Sequence, residues 1–123
     1  MDGLRFERAE AERVAGRSRR AAAAFDELRQ RYPADPLAGY AAFLLGRIRL
    51  DALGDPSGAA EAFEFALAHP GSGFFLEDAA ARRVEALDRA GRGSECRAAR
   101  ERFLREHPDA VRAPAVVRLC GER

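Results

Sequence analysis

A chain of 123 residues, 47% apolar and 33% charged, holds one domain's worth of sequence, enough for a modest core and too apolar for disorder. Its net charge of +1 excludes any global attraction to nucleic acid or to an anionic membrane. All 21 basic residues are arginine, whose rigid fork suits carboxylates, so Arg–Glu pairs between helix faces are expected.

No apolar run approaches the roughly 18–20 residues that cross a bilayer. The N-terminal MDGLRFERAEAERV is charged throughout and does not read as a signal peptide. Two settings stay open: a cytoplasmic protein, or an excised periplasmic domain of a larger membrane-anchored protein. A start that already lies inside a repeat makes the excised domain plausible.

In chain order, residues 4–15 place Leu4, Ala11, Val14 and Ala15 near one face of a weakly amphipathic helix. Gly16 stops it, because a residue without Cβ turns the chain at little cost. A second helix over 18–32 carries Ala21, Ala22, Phe25, Leu28 and Tyr32 at three- and four-residue spacing and ends at Pro33. Asp35-Pro36 reads as N-cap and first helical residue of a third helix. Its run LAGYAAFLLGRIRLDAL is the most apolar in the chain, and the expectation is a central, buried helix. Gly54 stops that helix, and Asp55-Pro56 opens a fourth over 56–68. PGSGFF at 70–75 is the longest break. A fifth helix is expected over about 75–90, with Leu76, Ala79, Ala80, Val84 and Leu87 inward. Ser94 caps a sixth over 95–107, and a last short helix near 112–120 covers the end of the stack. No stretch alternates with period two, so the fold class is all-α, consecutive helices antiparallel across short turns.

Three seven-residue turns recur: AGRSRRA at 15–21, LGDPSGA at 53–59 and AGRGSEC at 90–96, starting 38 and 37 residues apart. A fixed period in this range marks a repeat architecture. The helices that follow carry Ala21, Phe25, Leu28 and Pro33; then Ala59, Phe63, Ala66 and Pro70; then Cys96, Arg100, Phe103 and Pro108. This pattern resembles the second helix of the tetratricopeptide repeat (TPR), where a small residue admits the neighbouring helix and an aromatic fills the gap. The chain departs from that family in its longer period, in Arg100 standing at the aromatic position, and in a first-helix signature reduced to Leu45-Gly46. The longer period is similar to the bacterial envelope branch, including outer-membrane assembly lipoproteins and repeat domains appended to FecR-type and anti-sigma regulators.

The resemblance implies three helix-turn-helix repeats (about 4–33, 35–70 and 75–108) and a C-terminal capping helix in a right-handed α-superhelix. It also implies a non-catalytic adaptor that holds a peptide or protein in a concave groove lined by the first helix of each repeat. The groove candidates are Arg8 and Glu12, then Tyr40, Phe43 and Arg47, then Asp78, Arg82 and Glu85. Arg47 and Arg82 would hold partner carboxylates or carbonyls, and Tyr40 and Phe43 would offer apolar contact. Two alternatives stand beside this: a spacer or homodimerising module using the N-terminal helix (Leu4, Phe6, Val14), and a regulatory domain of a membrane-anchored protein.

Candidate chemistry is sparse. His69 and His107 both precede a repeat-ending proline, where the first repeat has Tyr32, so the repeat accounts for them. No Cys-x-x-Cys or His-x-x-x-His pair suggests a metal, no serine sits in a nucleophile elbow, and no cofactor is implied. Cys96 takes a small-residue position, which reads as a buried thiol in place of alanine. Cys96 lies 13 residues before Asp109 and Cys120 lies 11 after it, so an antiparallel pair turning there would also permit a disulfide.

Overall fold

The computed structural model describes residues 3–121, the side chain of Leu4 excepted. Seven helices and no strand are found among these residues: α1 (Gly3–Val14), α2 (Ser18–Arg31), α3 (Ala38–Asp51), α4 (Pro56–Ala68), α5 (Leu76–Arg89), α6 (Gly93–Glu106) and α7 (Ala113–Val117). Each helix packs on the next in the chain, most extensively α3 on α4, and the odd-numbered helices also meet, α3 with α5 and α5 with α7. Among the described residues no helix is long and apolar enough to cross a membrane.

The recurring turns have recurring backbones. Gly16, Gly54 and Gly91 all adopt left-handed φ values of 78°, 61° and 71°. At the first and third, two hydrogen bonds close the preceding helix: Gly16 N–H to Arg13 O with Arg17 N–H to Glu12 O, and Gly91 N–H to Asp88 O with Arg92 N–H to Leu87 O. This is the Schellman arrangement, which needs a residue tolerant of positive φ at its centre. The even helices also end alike: Tyr32, His69 and His107 hold φ of −131°, −129° and −134° just before a proline. Proline pushes the preceding residue out of the helical region, and so sets this stop.

Alanine and glycine let α3 and α4 come close. A Cβ added to Gly39 would run into the carbonyl oxygen of His69, and one on Gly46 would lie 2.5 Å from the Phe63 ring. Along α3 every residue from Ala38 to Leu50 is buried except Tyr40, Arg47 and Arg49, so the most apolar run is the central helix. Phe25, Phe63 and Phe103 are enclosed in the layers where the even helices meet the core.

Several local expectations are corrected. α1 buries Ala9 and half-buries Phe6, whereas Ala11, Val14 and Ala15 face solvent; the weak amphipathicity of that helix left its face undetermined. The Leu4 side chain of the expected face lies outside the described residues. Asp35-Pro36 does not open α3. The Asp35 carboxylate accepts the Leu37 N–H at 2.8 Å in a turn, and the helix begins at Ala38. Asp55 behaves as expected, accepting Gly58 N–H at 2.9 Å with Pro56 as the first helical residue. Ser94 is no cap, since α6 starts at Gly93, two residues earlier than expected, with Arg92 in the N-cap position. α7 spans only five residues and gives way to turns. On α5, Leu76 and Ala80 are half-buried, and Ala81 and Ala86 complete the buried face with Ala79, Val84 and Leu87.

Cys96 and Cys120 are joined in a disulfide with Cα atoms 5.5 Å apart, and both are fully buried. Three further ties hold the tail. Cys120 N–H donates to Asp88 Oδ1 at 3.0 Å, Arg100 Nη1 donates to the Leu119 carbonyl at 2.6 Å, and Arg112 pairs with Asp78. Arg100, which stands where the other two even helices bury phenylalanine, thus satisfies a carbonyl of the closing segment.

Candidate partner-binding face

The odd-numbered helices share one face, and side chains cross it from end to end. Phe6 of α1 stacks on Tyr40 of α3 with ring centroids 5.7 Å apart. Tyr40 meets Phe74 at 4.9 Å and Phe75 at 5.8 Å in the segment leading into α5. One turn along α3 Phe43 stacks on Phe75 at 5.6 Å, and the Arg47 guanidinium lies 5.6 Å above the Phe43 ring. Beyond it, Asp51 takes Arg82 from α5, and Asp78 takes Arg112 from the residue preceding α7. Aromatic contacts therefore occupy one part of the face and ion pairs the other.

Of the eight groove candidates, Tyr40, Arg47, Asp78, Arg82 and Glu85 are brought onto this face. Their availability differs. Arg47 is exposed, lies over the Phe43 ring and forms no ion pair among the described residues. Arg82 is committed to Asp51 and to Glu85 (3.1 Å), while Glu85 also accepts from Arg89 at 2.6 Å. Asp78 is held by Arg112, and Glu12 by Arg17 at 2.5 Å. Arg8 is exposed elsewhere, lining a cavity of about 310 Å³ with Glu27 and Arg31 of α2. Phe43 is corrected outright. At 4% exposure it belongs to the core, enclosed by Phe63, Phe75 and Tyr40, and offers a partner no surface.

The residue missing from the expected set is Phe74, 70% exposed although it touches both Tyr40 and Phe75. Its signal was the doubled phenylalanine after Pro-Gly-Ser-Gly: two adjacent rings at a helix entrance cannot both enter one core. Phe75 goes in and Phe74 stays out. Arg29 was missed as well. It is buried to 6% exposure and bound by Asp26 (2.8 Å) and by both oxygens of Glu61 (2.5 and 2.6 Å), with its guanidinium 5.3 Å over the Phe65 ring. That hydrogen bond from Arg29 holds Glu61 below the usual carboxylate range, and the same bond raises the pKa of Arg29. Charge alternation alone could not distinguish this buried fork from the many solvated arginines.

Both histidines serve helix ends. The His69 ring stacks on Phe65 at 3.9 Å with Nδ1 2.9 Å from the Phe65 carbonyl, and His107 lies 5.3 Å from Phe103. Among the described residues no three His, Cys, Asp or Glu side chains converge as a metal site would need. Phe6, half-buried, packs on Phe25 and Tyr40 and leaves only part of its ring for the surface that the homodimer alternative required; Val14 remains exposed. No protein-family model matches the chain, and neither a curated protein nor a solved structure matches it.

Proposed function

We propose that this is a TPR-like adaptor domain, three helix-turn-helix repeats and a cap, that binds an extended segment of another protein along the face of its odd-numbered helices. The observation that carries the reading is the exposed Phe74 ring set against Tyr40, with the exposed cation of Arg47 further along α3. An exposed aromatic packed on a fixed second ring is pre-ordered for contact, so little side-chain freedom is lost on binding. Among the described residues Arg47 has no carboxylate partner, which favours a segment with an acidic residue near an apolar one. The ion pairs of Arg82 and Asp78 form the polar rim of the same face. The spaced αL glycines and the shared helix stops support the repeat reading. The buried Cys96–Cys120 bond favours an oxidising compartment, in keeping with a periplasmic domain of a larger envelope protein.

The test is selection from a random peptide library displayed on phage, panned in parallel on the wild-type domain and on Phe74→Ala/Arg47→Glu. The expected result is enrichment of an apolar or aromatic residue close to Asp or Glu on the wild type alone. Equal enrichment on both, or none on either, sinks the reading. Both changes fall on exposed side chains, so the helical circular dichroism of the variant should match that of the wild type.

A further inference from the structure

On the other side of α5, a cavity of about 370 Å³ opens between α4, α5 and α6, and none of its lining residues belongs to the face described above. Its charged lining is Glu64 of α4, Arg83 of α5, and Arg102 and Glu106 of α6; Leu67 and Leu76 supply apolar wall. Arg102 and Glu106 satisfy each other, Nε to Oε1 at 2.6 Å. Arg83 and Glu64 do not. The Arg83 Nε is shielded from solvent without a hydrogen-bond partner, and among the described residues neither its guanidinium nor the Glu64 carboxylate forms a hydrogen bond or ion pair. Burial lowers the pKa of Arg83, against the pull of Glu64.

Arg83 and Glu64, one cation and one anion carried by different helices and bonded to no side chain among the described residues, line the same small cavity. A simple anion would serve Arg83 but meet the Glu64 carboxylate; a simple cation would serve Glu64 and meet Arg83. A ligand carrying both charges on one carbon serves both, and its side chain can lie on Leu67 and Leu76. The volume stands at the small end of ligand cavities. We infer that this cavity is a binding site for a free aliphatic α-amino acid, carboxylate on Arg83 and ammonium on Glu64. A peptide C-terminus has the same carboxylate and side chain but lacks the free ammonium, so it fits less well.

Isothermal titration of the intact chain with L-leucine tests this. Saturable binding is expected, with isocaproate, isoamylamine and N-acetyl-L-leucine each weaker by about tenfold or more, because each lacks one of the two charges. Glu64→Gln and Arg83→Met should each weaken L-leucine by about tenfold or more with unchanged circular dichroism. Should Arg83→Met fail to fold, Glu64→Gln carries the test alone, since that side chain is exposed. The inference is overturned if L-leucine gives no heat of binding at millimolar concentration, if isocaproate or N-acetyl-L-leucine binds as tightly as leucine, or if Glu64→Gln leaves the affinity unchanged. These outcomes do not depend on the peptide-binding face, whose variants leave this cavity intact.

Discussion

The two halves of this stack are held by different chemistry. Between α1 and α5, cohesion comes from shape: Phe6, Phe25, Tyr40, Phe43, Phe63 and Phe75 form a continuous run of ring contacts, and Gly39 and Gly46 allow α4 to lie close on α3. Between α5 and α7 the run of rings thins to Phe103, and cohesion passes to alanine on the buried face of α5, to the Cys96–Cys120 bond, and to the polar ties of Arg100, Asp88 and Arg112. The difference follows from how much apolar surface each end can enclose. α3 is flanked by helices on both sides and can bury nearly its whole circumference. α7 offers only Ala113 and Val116, too little to keep a five-residue helix in place against its conformational entropy. A covalent link and hydrogen-bonded carbonyls do there what packing does elsewhere.

The contrast can be broken first at its strong end. Phe63→Ala removes a fully buried ring that touches Phe43 and faces Gly46. A loss of about 3–5 kcal/mol in unfolding free energy is expected by urea denaturation, a large share of what a domain this size has. Gly46→Ala should cost less in that background than in the wild type, because the ring that the new methyl would strike is gone. Next comes the covalent end. Cys96→Ala/Cys120→Ala opens a link between residues 24 apart in sequence and should cost about 3 kcal/mol. Its distribution matters more than its size. Amide hydrogen exchange should accelerate most in the segment after α6 while α3 stays protected. Uniform acceleration through α3 would show that the cap is not the separate, weakly packed unit that the contrast requires.

The same contrast explains what could be read in advance. Helix number and most boundaries were legible, because Gly16, Gly54, Gly91 and the three prolines act locally through φ and through steric exclusion. The burial of α3 was legible from its length of apolar sequence. What failed depended on neighbours distant in the chain. Asp35-Pro36 and Asp55-Pro56 are the same dipeptide, yet only the second opens a helix. Beside the first, the backbone of Gly71 lies so near the Pro36 carbonyl that an added Cβ would sit 2.5 Å from it, and the Asp35 side chain is spent on Leu37. The groove candidates failed in a similar way. Spacing put Phe43 and Tyr40 on the correct helix, but which ring is enclosed depends on Phe63 and Phe75 arriving from elsewhere. Phe74 was hidden inside the stretch 70–75, read as the longest break between helices. The ion pairs were foreseen as a class, not as partners.

The smallest expected effect concerns Arg29, the one arginine buried among the described residues, where α2 meets α4. Arg29 donates to Glu61 and Asp26, and the first of these bonds is the main reason that the pKa of Glu61 lies below its ordinary 4.5. A carboxylate whose folded pKa is depressed stabilises the fold above its unfolded value, and that contribution disappears as pH falls through the folded one. Arg29 carries its charge in both states throughout this range, so the pair's pH dependence comes from the carboxylate alone. Glu61 is 54% exposed, and solvent screening holds the contribution to about 1 kcal/mol or less. Glu61→Gln should therefore be slightly less stable than the wild type in urea unfolding at about pH 7, and the gap should close toward about pH 3. Added salt should narrow the gap at neutral pH as well. If the gap persists unchanged in acid, the Arg29 fork is held by Asp26 and by its packing on Phe65, and Glu61 is a bystander at the surface.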